Sequence, residues 1–264
     1  MEGVKGKIKF QMINKIERAF SASAKKYDLF TSLHRTIADG LFSRVIQAAS
    51  PQAVLDVGCG TGYLTGRLKD RWTQARVVGL DFSPGMLEVA AIKNKAVDWV
   101  LGDGSSLPFA DGCFNVVVSN LAYQWAEELP LVFKEAARVL QPGGVLAVTL
   151  FGYKTGQELF QSLAEAKCDG VQFDRLPDEF QVRGALTACG FKYVTVESEC
   201  RMHEFKDMYE LIRWLKSIGA NHLRRQGFIG PKALARAAKI YRKRFVYEDG
   251  VGASFEVIRV YAEK

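Results

Sequence analysis

The sequence predicts an α/β fold, a doubly wound and mostly parallel sheet with helices on both faces. Between residues 51 and 150, short apolar stretches of strand length alternate with stretches whose apolar residues recur at helical spacing. Such alternation is typical of a parallel sheet, because the crossover between two parallel strands is usually a helix. Three successive strand-like stretches also end in a polar residue, and open α/β sheets bind ligands at the carboxyl ends of their strands.

The expected elements follow from the spacing of the apolar residues, which is 3.6 in helices and 2 in strands. Two helices come first, over Phe10 to Phe20 and Ile37 to Ala49, and Pro51 opens the sheet region. The order predicted from there is strand 53–57, helix 61–71, strand 76–81, helix 84–94, strand 98–102, strand 115–119, helix 127–140 and strand 145–150. The sequence then predicts a helical connection, a helix near 178–189 and a strand at 192–199. These are followed by a mostly helical insertion at 205–223 and 231–245 and by a last strand at 254–262.

The first strand leads into a glycine-rich turn, VLDVGCGTGY at positions 54–63. Gly58, Gly60 and Gly62 lack a Cβ atom, so the turn can adopt positive φ and a bulky ligand can lie on bare backbone. A tight strand-to-helix turn needs glycine for structural reasons as well, so the loop alone is weak evidence of binding.

Each of the next three strands leads to a carboxylate or an amide. The second ends at Asp81, beside Phe82, the third leads to Asp103 and the fourth to Asn120. An acid at the tip of the second strand can accept both hydroxyls of a ribose, and the neighbouring ring can cover a face of an adenine. Asp81 can also cap the helix that starts near Pro84, which is compatible with a role in binding.

The glycine spacing indicates which nucleotide fits. A pyrophosphate is bound by G-x-G-x-x-G, whereas here the third glycine comes one residue early and Tyr63 follows it. A dinucleotide-dependent dehydrogenase is therefore the weaker interpretation. No lysine follows the glycines in the Walker pattern, which disfavours a triphosphate. A nucleoside without phosphates remains.

Five ordered motifs of the first half resemble those of the class I S-adenosylmethionine (SAM) dependent methyltransferases. They are residues 54–62, Asp81, GDG at 102–104, the Ser-Asn pair at 119–120 and LQPGG at 140–144. The flanking segments 16–28, 33–41, 120–125 and 215–222 are similar to the malonyl-[acyl-carrier protein] O-methyltransferases of biotin synthesis. This resemblance covers nearly the whole chain, although residues 153–178 depart from it.

The resemblance implies SAM as the cofactor and S-adenosylhomocysteine as its product. It implies that the glycine loop binds the methionine part, that Asp81 binds the ribose and Asp103 the adenine amino group, and that the Asn120 backbone lies near the sulfonium. Tyr27 resembles the residue that closes over the cofactor. The cofactor-binding residues expected on this basis are Tyr27, Asp56, Gly58, Cys59, Gly60, Asp81, Phe82, Met86, Asp103, Gly104, Asn120 and Leu121.

The resemblance also implies the acceptor, the free carboxylate of a malonyl thioester. This group has a pKa near 4 and is ionised at pH 7, so we expect no side chain to act as a general base. It needs desolvation, which a lid made of the N-terminal helices and the insertion could supply, and a cation to hold it. Arg35, Lys216 and His222 are the candidate cations, and Gln124 and Trp125 are expected to line the acceptor side.

The sequence leaves these roles open. Arg35 equally suits a surface position or the cofactor's own carboxylate, and His222 equally suits a cap or a packing role. Trp125 also fits the core.

Basic residues are concentrated in the segment 201–245. It holds twelve Lys and Arg against three acids, a net charge of +9, whereas the whole chain carries +7. Such a run is either a solvated face or a docking surface for an acidic partner, namely the acyl carrier protein that the resemblance implies or a nucleic acid. The segment lacks a recognisable nucleic-acid motif, which disfavours the second partner.

We expect one domain for residues 1–264, in which 1–50 form lid helices, 51–200 the SAM-binding core, 201–245 the insertion and 246–264 the final strand. Neither a signal peptide nor an apolar run of membrane-spanning length is visible, so we expect a soluble, cytoplasmic protein with no membrane partner. The five cysteines form no C-x-x-C pair, and we expect them to be reduced and mostly buried, with no metal bound.

Three functions remain in order of preference. The first is methylation of the malonyl carboxylate on acyl carrier protein, and the second is methylation of a free small-molecule acid by the same site. The third is a non-enzymatic SAM-fold or nucleic-acid-binding protein, which the polar strand tips disfavour.

Overall fold

The computed structural model describes residues 16–47, 51–126, 128–168, 176–218 and 229–264. These residues belong to two compact units. The first comprises the chain up to Leu150, Asp178–Glu197 and Ile258–Lys264, and the second comprises Phe151–Pro177 and Ser198–Val257. The organisation into a single domain stays a prediction.

The first unit contains the predicted alternation of helices and strands. A helix over residues 16–27, α1, precedes it. The further elements in chain order are α2 (Ser32–Val45), β1 (Ala53–Val57), α3 (Tyr63–Arg71), β2 (Arg76–Asp81), α4 (Pro84–Lys93), β3 (Asp98–Leu101), β4 (Phe114–Asn120), a 3₁₀ turn (Tyr123–Trp125), α5 (Leu129–Val139) and β5 (Leu140–Phe151). The remaining elements of the chain, which are divided between the two units, are α6 (Gln157–Glu165), α7 (Glu179–Ala188), β6 (Lys192–Phe205), α8 (Met208–Ser217), α9 (Pro231–Arg244), β7 (Val246–Tyr247) and β8 (Gly250–Glu263).

The strands form one sheet in the order β3-β2-β1-β4-β5-β8-β6, with β7 paired to β8. The pairs β1–β2, β1–β4, β2–β3 and β4–β5 are parallel. The strand order reverses between β1 and β4, and a crevice opens at such a point because the two crossovers leave on opposite faces. The mostly parallel α/β fold is therefore confirmed.

Both faces of the sheet are covered, and adjacent residues of one strand serve opposite faces. Leu55 on β1 packs in a cluster with Phe133 of α5 and Leu186 of α7. Its neighbour Val54 packs in a second cluster with Leu68 of α3. Burial on both faces explains why the strands read as continuous apolar runs.

The main difference from the predicted elements lies at LQPGG, which β5 incorporates. Leu140 pairs with Phe114 before a register shift. Lys264 N then donates to Gly144 O at 3.0 Å and Gly152 N donates to Glu256 O at 2.8 Å, so β8 runs antiparallel to β5. Pairing on both sides extends the strand through a segment whose Pro and Gly favour a turn.

Other boundaries also differ from the prediction. α1 extends to residue 27, β6 to Phe205, and β8 starts at Gly250. The predicted helical positions 10–15, 48–49 and 219–223 lie outside the described residues.

In the second unit, α6 and α9 pack together. Ala237 and Tyr241 form the buried face of α9, and Tyr241 Oη donates to Gly252 O at 2.8 Å. Arg236 Nε on α9 donates to Ala166 O, next to the end of α6, at 3.0 Å. Within the described residues, we find no helix that combines the length and the apolar character needed to span a membrane.

The cysteines are thiols, as expected, but the prediction that most are buried is wrong. Cys59 and Cys168 are buried and Cys189 is half-buried, whereas Cys113 and Cys200 are exposed. Cys113 lies in the turn before β4 and Cys200 on the outer part of β6, where the side chains face solvent.

Candidate active site

The glycine-rich turn between β1 and α3 is held against the end of β2. Gly58 N and Cys59 N both donate to Leu80 O, at 2.7 and 3.0 Å. Gly60 N donates to Asp81 Oδ2 at 2.8 Å. These three bonds fix the turn at the point where the strand order reverses.

Two glycines of this turn meet different requirements. Gly58 has φ +74°, and a Cβ there would lie 2.2 Å from Ala122 Cβ, so both conformation and space demand glycine. Gly60 has φ +54°, but a Cβ there would meet no described atom within 4 Å. The space beside Gly60 is therefore open to a ligand.

Asp81 organises the turn through both carboxylate oxygens. Oδ1 accepts from Ser83 N at 2.8 Å, while Oδ2 accepts from Gly60 N. Burial raises the pKa of Asp81 to about 6, against the opposing effect of the N–H donors of Ser83 and Gly60.

Asp56 on β1 is a buried carboxylate, and only one of its two oxygens accepts a hydrogen bond from a described residue. Oδ2 accepts from Thr65 Oγ1 at 2.6 Å, whereas Oδ1 has no hydrogen-bond partner among the described residues. Burial raises the pKa of Asp56 to about 7. A cation next to Oδ1 would satisfy this oxygen and restore the charged form.

Asp28, directly after α1, gathers groups from three other elements. Its Oδ1 accepts from Thr61 Oγ1 at 2.6 Å, and its Oδ2 accepts from Lys93 Nζ and lies 3.5 Å from Arg35 Nη2. Lys93 Nζ also donates to Thr61 O at 3.1 Å. Burial alone would raise the pKa of Asp28, but the hydrogen bonds and charges of these partners hold it below the ordinary value. The end of α1 is thereby tied to the glycine-rich turn.

Arg35 on α2 reaches the same place from the other side. Its guanidinium carbon lies 5.1 Å from the centre of the Tyr63 ring, within the range of a cation–π contact. Its Nε is buried and has no hydrogen-bond partner among the described residues. The guanidinium is thus oriented but not fully satisfied.

These groups line one pocket. Of the expected cofactor residues, the pocket brings together Tyr27, Asp56, Gly58, Cys59, Gly60 and Asn120, and Arg35 joins them. Burial, together with the charges of Asp81 and Asp56, raises the pKa of Cys59 well above its ordinary value, so it is a neutral thiol. The expected residues Asp81, Phe82, Met86, Asp103, Gly104 and Leu121 do not line this pocket.

An aromatic cluster joins α1 to the residues after β2 and β4. The Phe20 ring of α1 lies 5.9 Å from the ring of Phe82 and 5.6 Å from that of Trp125, edge-on in both cases. Met86 is buried in the same cluster. Phe82 and Trp125, both partly buried, therefore pack against α1.

The tip of β4 is ordered by Thr149 on β5. Asn120 Oδ1 accepts from Thr149 Oγ1 at 2.8 Å, and Asn120 Nδ2 donates to His34 O at 3.3 Å. Leu121 has φ +52°, a left-handed conformation that is strained for a leucine, and its N donates to Thr149 O at 3.0 Å.

The tip of β3 is engaged in its own turn. Asp103 Oδ1 accepts from both Ser105 N and Ser105 Oγ, each at 2.8 Å, and Asp103 is exposed. A Cβ on Gly104 would lie 3.0 Å from Val57 Cγ1, so a larger residue there would have to displace the Val57 side chain slightly.

The remaining acceptor-side candidates are spread over the chain. Gln124 is half-buried in the 3₁₀ turn, and Lys216 is exposed on α8 of the second unit. His222 lies outside the described residues. The sequence reasoning missed Asp28, and its place directly after Tyr27 was the only available signal.

The pocket fits the methionine end of SAM, which carries an ammonium and a carboxylate. The unpartnered Asp56 Oδ1 and the unpartnered Arg35 Nε are opposite charges that line the same pocket. Open space beside Gly60 leaves room between turn and ligand. An amino acid moiety satisfies both charged groups at once, which a phosphate does not.

Comparison with known proteins gives relatives over most of the chain. The family described as "Methyltransferase domain" matches residues 55–148. The malonyl-[acyl-carrier protein] O-methyltransferase of Hahella chejuensis is 36% identical over 250 residues, which are 92% of this chain and 88% of that protein. The enzyme of the same name from Halorhodospira halophila is 35% identical over 94% of this chain and 86% of its own length.

Solved structures share the fold at lower identity. The YcgJ protein of Bacillus subtilis is 18% identical with a TM-score of 0.61, over 86% of this chain and 97% of its own. Phosphoethanolamine N-methyltransferase 2 of Haemonchus contortus, in complex with SAM, is 18% identical with a TM-score of 0.59, over 92% of this chain and 57% of its own.

Proposed function

The chain belongs to the family of the malonyl-[acyl-carrier protein] O-methyltransferases, SAM-dependent enzymes, and from that premise we propose its reaction. It transfers a methyl group from SAM to the free carboxylate of a malonyl group held as a thioester on acyl carrier protein, an early step of biotin synthesis. A cytoplasmic location, expected from the sequence, belongs to the same proposal.

One observation carries the cofactor half of the proposal, the pair of unpartnered groups in the pocket. Asp56 Oδ1 suits the ammonium of the methionine moiety, and Arg35 Nε suits its carboxylate. This assignment takes Arg35 away from the malonyl carboxylate and leaves Lys216 and His222 as the candidate cations for it.

The other expected residues receive roles consistent with their positions. Asp81 binds the ribose, Phe82 and Met86 lie on the adenine side, and Asp103 with Gly104 binds the adenine edge. The backbone of Asn120 and Leu121 lies near the sulfonium, and Tyr27 closes over the cofactor from the end of α1. Because Asp81 also orders the glycine turn, it serves binding in two ways.

SAM supplies, when bound, a methyl carbon that is activated by a sulfonium. The pocket would hold SAM so that a malonyl carboxylate could accept this methyl group, and because the carboxylate is already ionised at pH 7 no side chain would have to take up a proton. The protein therefore has to position the malonyl carboxylate and exclude water from it, rather than supply acid–base catalysis. Burial lowers the pKa of His34 to about 4, which leaves this pocket residue neutral at pH 7. The neutral imidazole ring of His34 therefore adds no positive charge to the pocket.

The partner half of the proposal is supported by the basic segment 201–245 and by the names of the relatives. Carrier proteins of the kind these names imply must bring the malonyl group to the site, and a cationic segment suits an acidic carrier. Methylation of a free small acid is the alternative.

Labelled methyl transfer from SAM tests the proposal. Purified protein is given malonyl-acyl carrier protein, malonyl-CoA and free malonate in parallel, and the labelled methanol that base hydrolysis releases from the methyl esters is counted. We expect the carrier-linked substrate to have the highest kcat/KM. A higher value for free malonate, or no transfer to any malonyl compound, contradicts it.

A further inference from the structure

Four cations form a stripe along one face of α9. Lys232, Arg236, Lys239 and Lys243 follow each other at intervals of four, three and four residues, which places them on the same side of a helix. All four are exposed. The stripe spans about 16 Å at the usual rise per residue.

The stripe faces away from the buried side of its own helix. Ala237 and Tyr241, which are buried, lie on the opposite face. The Arg236 guanidinium is held by Ala166 O, so one member of the stripe has a fixed position. None of the three lysines forms an ion pair with a described residue. By contrast, Arg244, which lies off the stripe, is paired with Glu165.

The composition of α9 shows which kind of partner suits it. The helix, PKALARAAKIYRKR, contains no acid that could offset repulsion between cations one turn apart. It also contains no Asn, Gln, Ser or Thr, the neutral residues that commonly contact nucleic acids together with Arg and Lys. Regularly spaced point charges match the carboxylates on one face of an acidic helix, which repeat at the same intervals.

We propose that the α9 stripe docks an acidic helix of the carrier protein that presents the malonyl group. This inference rests on the proposed function and adds which of the twelve basic residues of segment 201–245 make the contact. The basic residues of that segment that lie off the stripe contribute only to the overall electrostatic attraction of the carrier protein.

A double charge reversal tests the stripe. Lys239→Glu with Lys243→Glu is compared with Lys206→Glu with Arg213→Glu, which makes the same charge change at exposed positions of the same segment but off α9. The KM for malonyl-acyl carrier protein and its dependence on salt are measured, with malonyl-CoA as the small substrate. Binding of a duplex RNA oligonucleotide is measured for wild type and both variants.

We expect the stripe variant to raise the KM for the carrier substrate at least tenfold at low salt and to lose most of the salt dependence. Its rate on malonyl-CoA should stay within twofold of wild type, and the control variant should resemble wild type on both substrates. An equal rise in both variants would assign the effect to net charge and overturn the proposal. No rise in the stripe variant, or RNA binding that the stripe alone abolishes, would overturn it too.

Failure of the proposed function gives a different pattern. Wild-type protein would then methylate neither malonyl substrate, whatever the charge on α9. A folding defect in the double variant would lower the rate on malonyl-CoA as well. In that case the single variant Lys239→Gln tests the docking proposal, because it removes one charge of the stripe without reversing it. An unchanged KM for the carrier in that variant counts against docking.

Discussion

The hydroxyl of Thr61 donates to the carboxylate of Asp28 at 2.6 Å, and this bond joins the glycine-rich turn to the end of α1. Asp28 is 33 positions away from Thr61 in the chain, so the bond closes a long loop around the pocket. Lys93 strengthens it by donating to both partners. The carboxylate of Asp28 thus holds together the end of α1 and the glycine-rich turn, which both line the pocket.

Asp28→Asn should therefore weaken SAM binding without unfolding the protein. Charge-assisted hydrogen bonds contribute roughly 1.5–3 kcal/mol each, so we expect an increase of about 10-fold or more in the Kd for SAM. Calorimetric titration measures it. Asp98→Asn is the matched control, because Asp98 forms an exposed ion pair with Arg76 at 3.0 Å and such pairs contribute little. Equal affinity in wild type and Asp28→Asn would refute the coupling.

Asp81→Ala should weaken SAM binding more strongly, because the ribose hydroxyls lose a charged acceptor and the turn loses the acceptor of Gly60 N. Each charged bond contributes roughly 1.5–3 kcal/mol. Asp81→Asn keeps the shape and one carbonyl oxygen, so we expect an intermediate Kd. An unchanged Kd in a folded Asp81→Ala variant would remove this residue from the site.

The ligand-free protein should lose stability as the pH rises from about 4 to 7. Asp56 has a folded-state pKa of about 7 against an ordinary value of 3.8, so the folded state holds its proton more tightly than the unfolded state. The stability that this proton provides is complete below the ordinary pKa and is lost as pH rises through the folded one. Asp81, at about 6, acts in the same direction.

We expect the loss to be on the order of 2–4 kcal/mol in urea unfolding, with Asp56→Asn removing a large part of it. The affinity for SAM should change in the opposite sense, since ionised Asp56 attracts the ammonium, and should rise between pH 5.5 and 7.5. An Asp56→Asn variant with the same pH dependence as wild type would contradict both expectations.

The rate of the saturated complex should be flat above about pH 6, because the acceptor carboxylate is already ionised. Single-turnover kinetics with SAM and malonyl substrate in excess of their Kd values check this. A tenfold rise per pH unit between 7 and 9 would indicate an acceptor that must lose a proton, such as a hydroxyl.

The sequence could predict those parts of the fold that depend on local periodicity. β1, β2 and β4 lie within one residue of the expected positions, since their apolar runs are bounded by turn residues. The predicted strand 145–150 does not include LQPGG, whereas β5 does, because pairing with β8 depends on residues more than a hundred positions away. Local propensity carries no information about such a partner.

The same distinction applies to the site. Gly58, Gly60 and Asp56 come from one short motif, and the structure brings them together as the motif implies. The contacts of Asp28 with Lys93 and Arg35 arise only when three helices converge, so no spacing in the chain could reveal them. Charge on a surface residue is common and does not by itself indicate a partner.

The two exposed thiols offer a spectroscopic measure of motion between the two units. Cys113 belongs to the first unit and Cys200 to the second, while Cys59 in the glycine turn is a buried neutral thiol that maleimides modify slowly. Fluorescent or spin labels should therefore attach first at positions 113 and 200, without any engineered cysteine. The separation between such labels, recorded with and without SAM, would show directly whether cofactor binding moves the units.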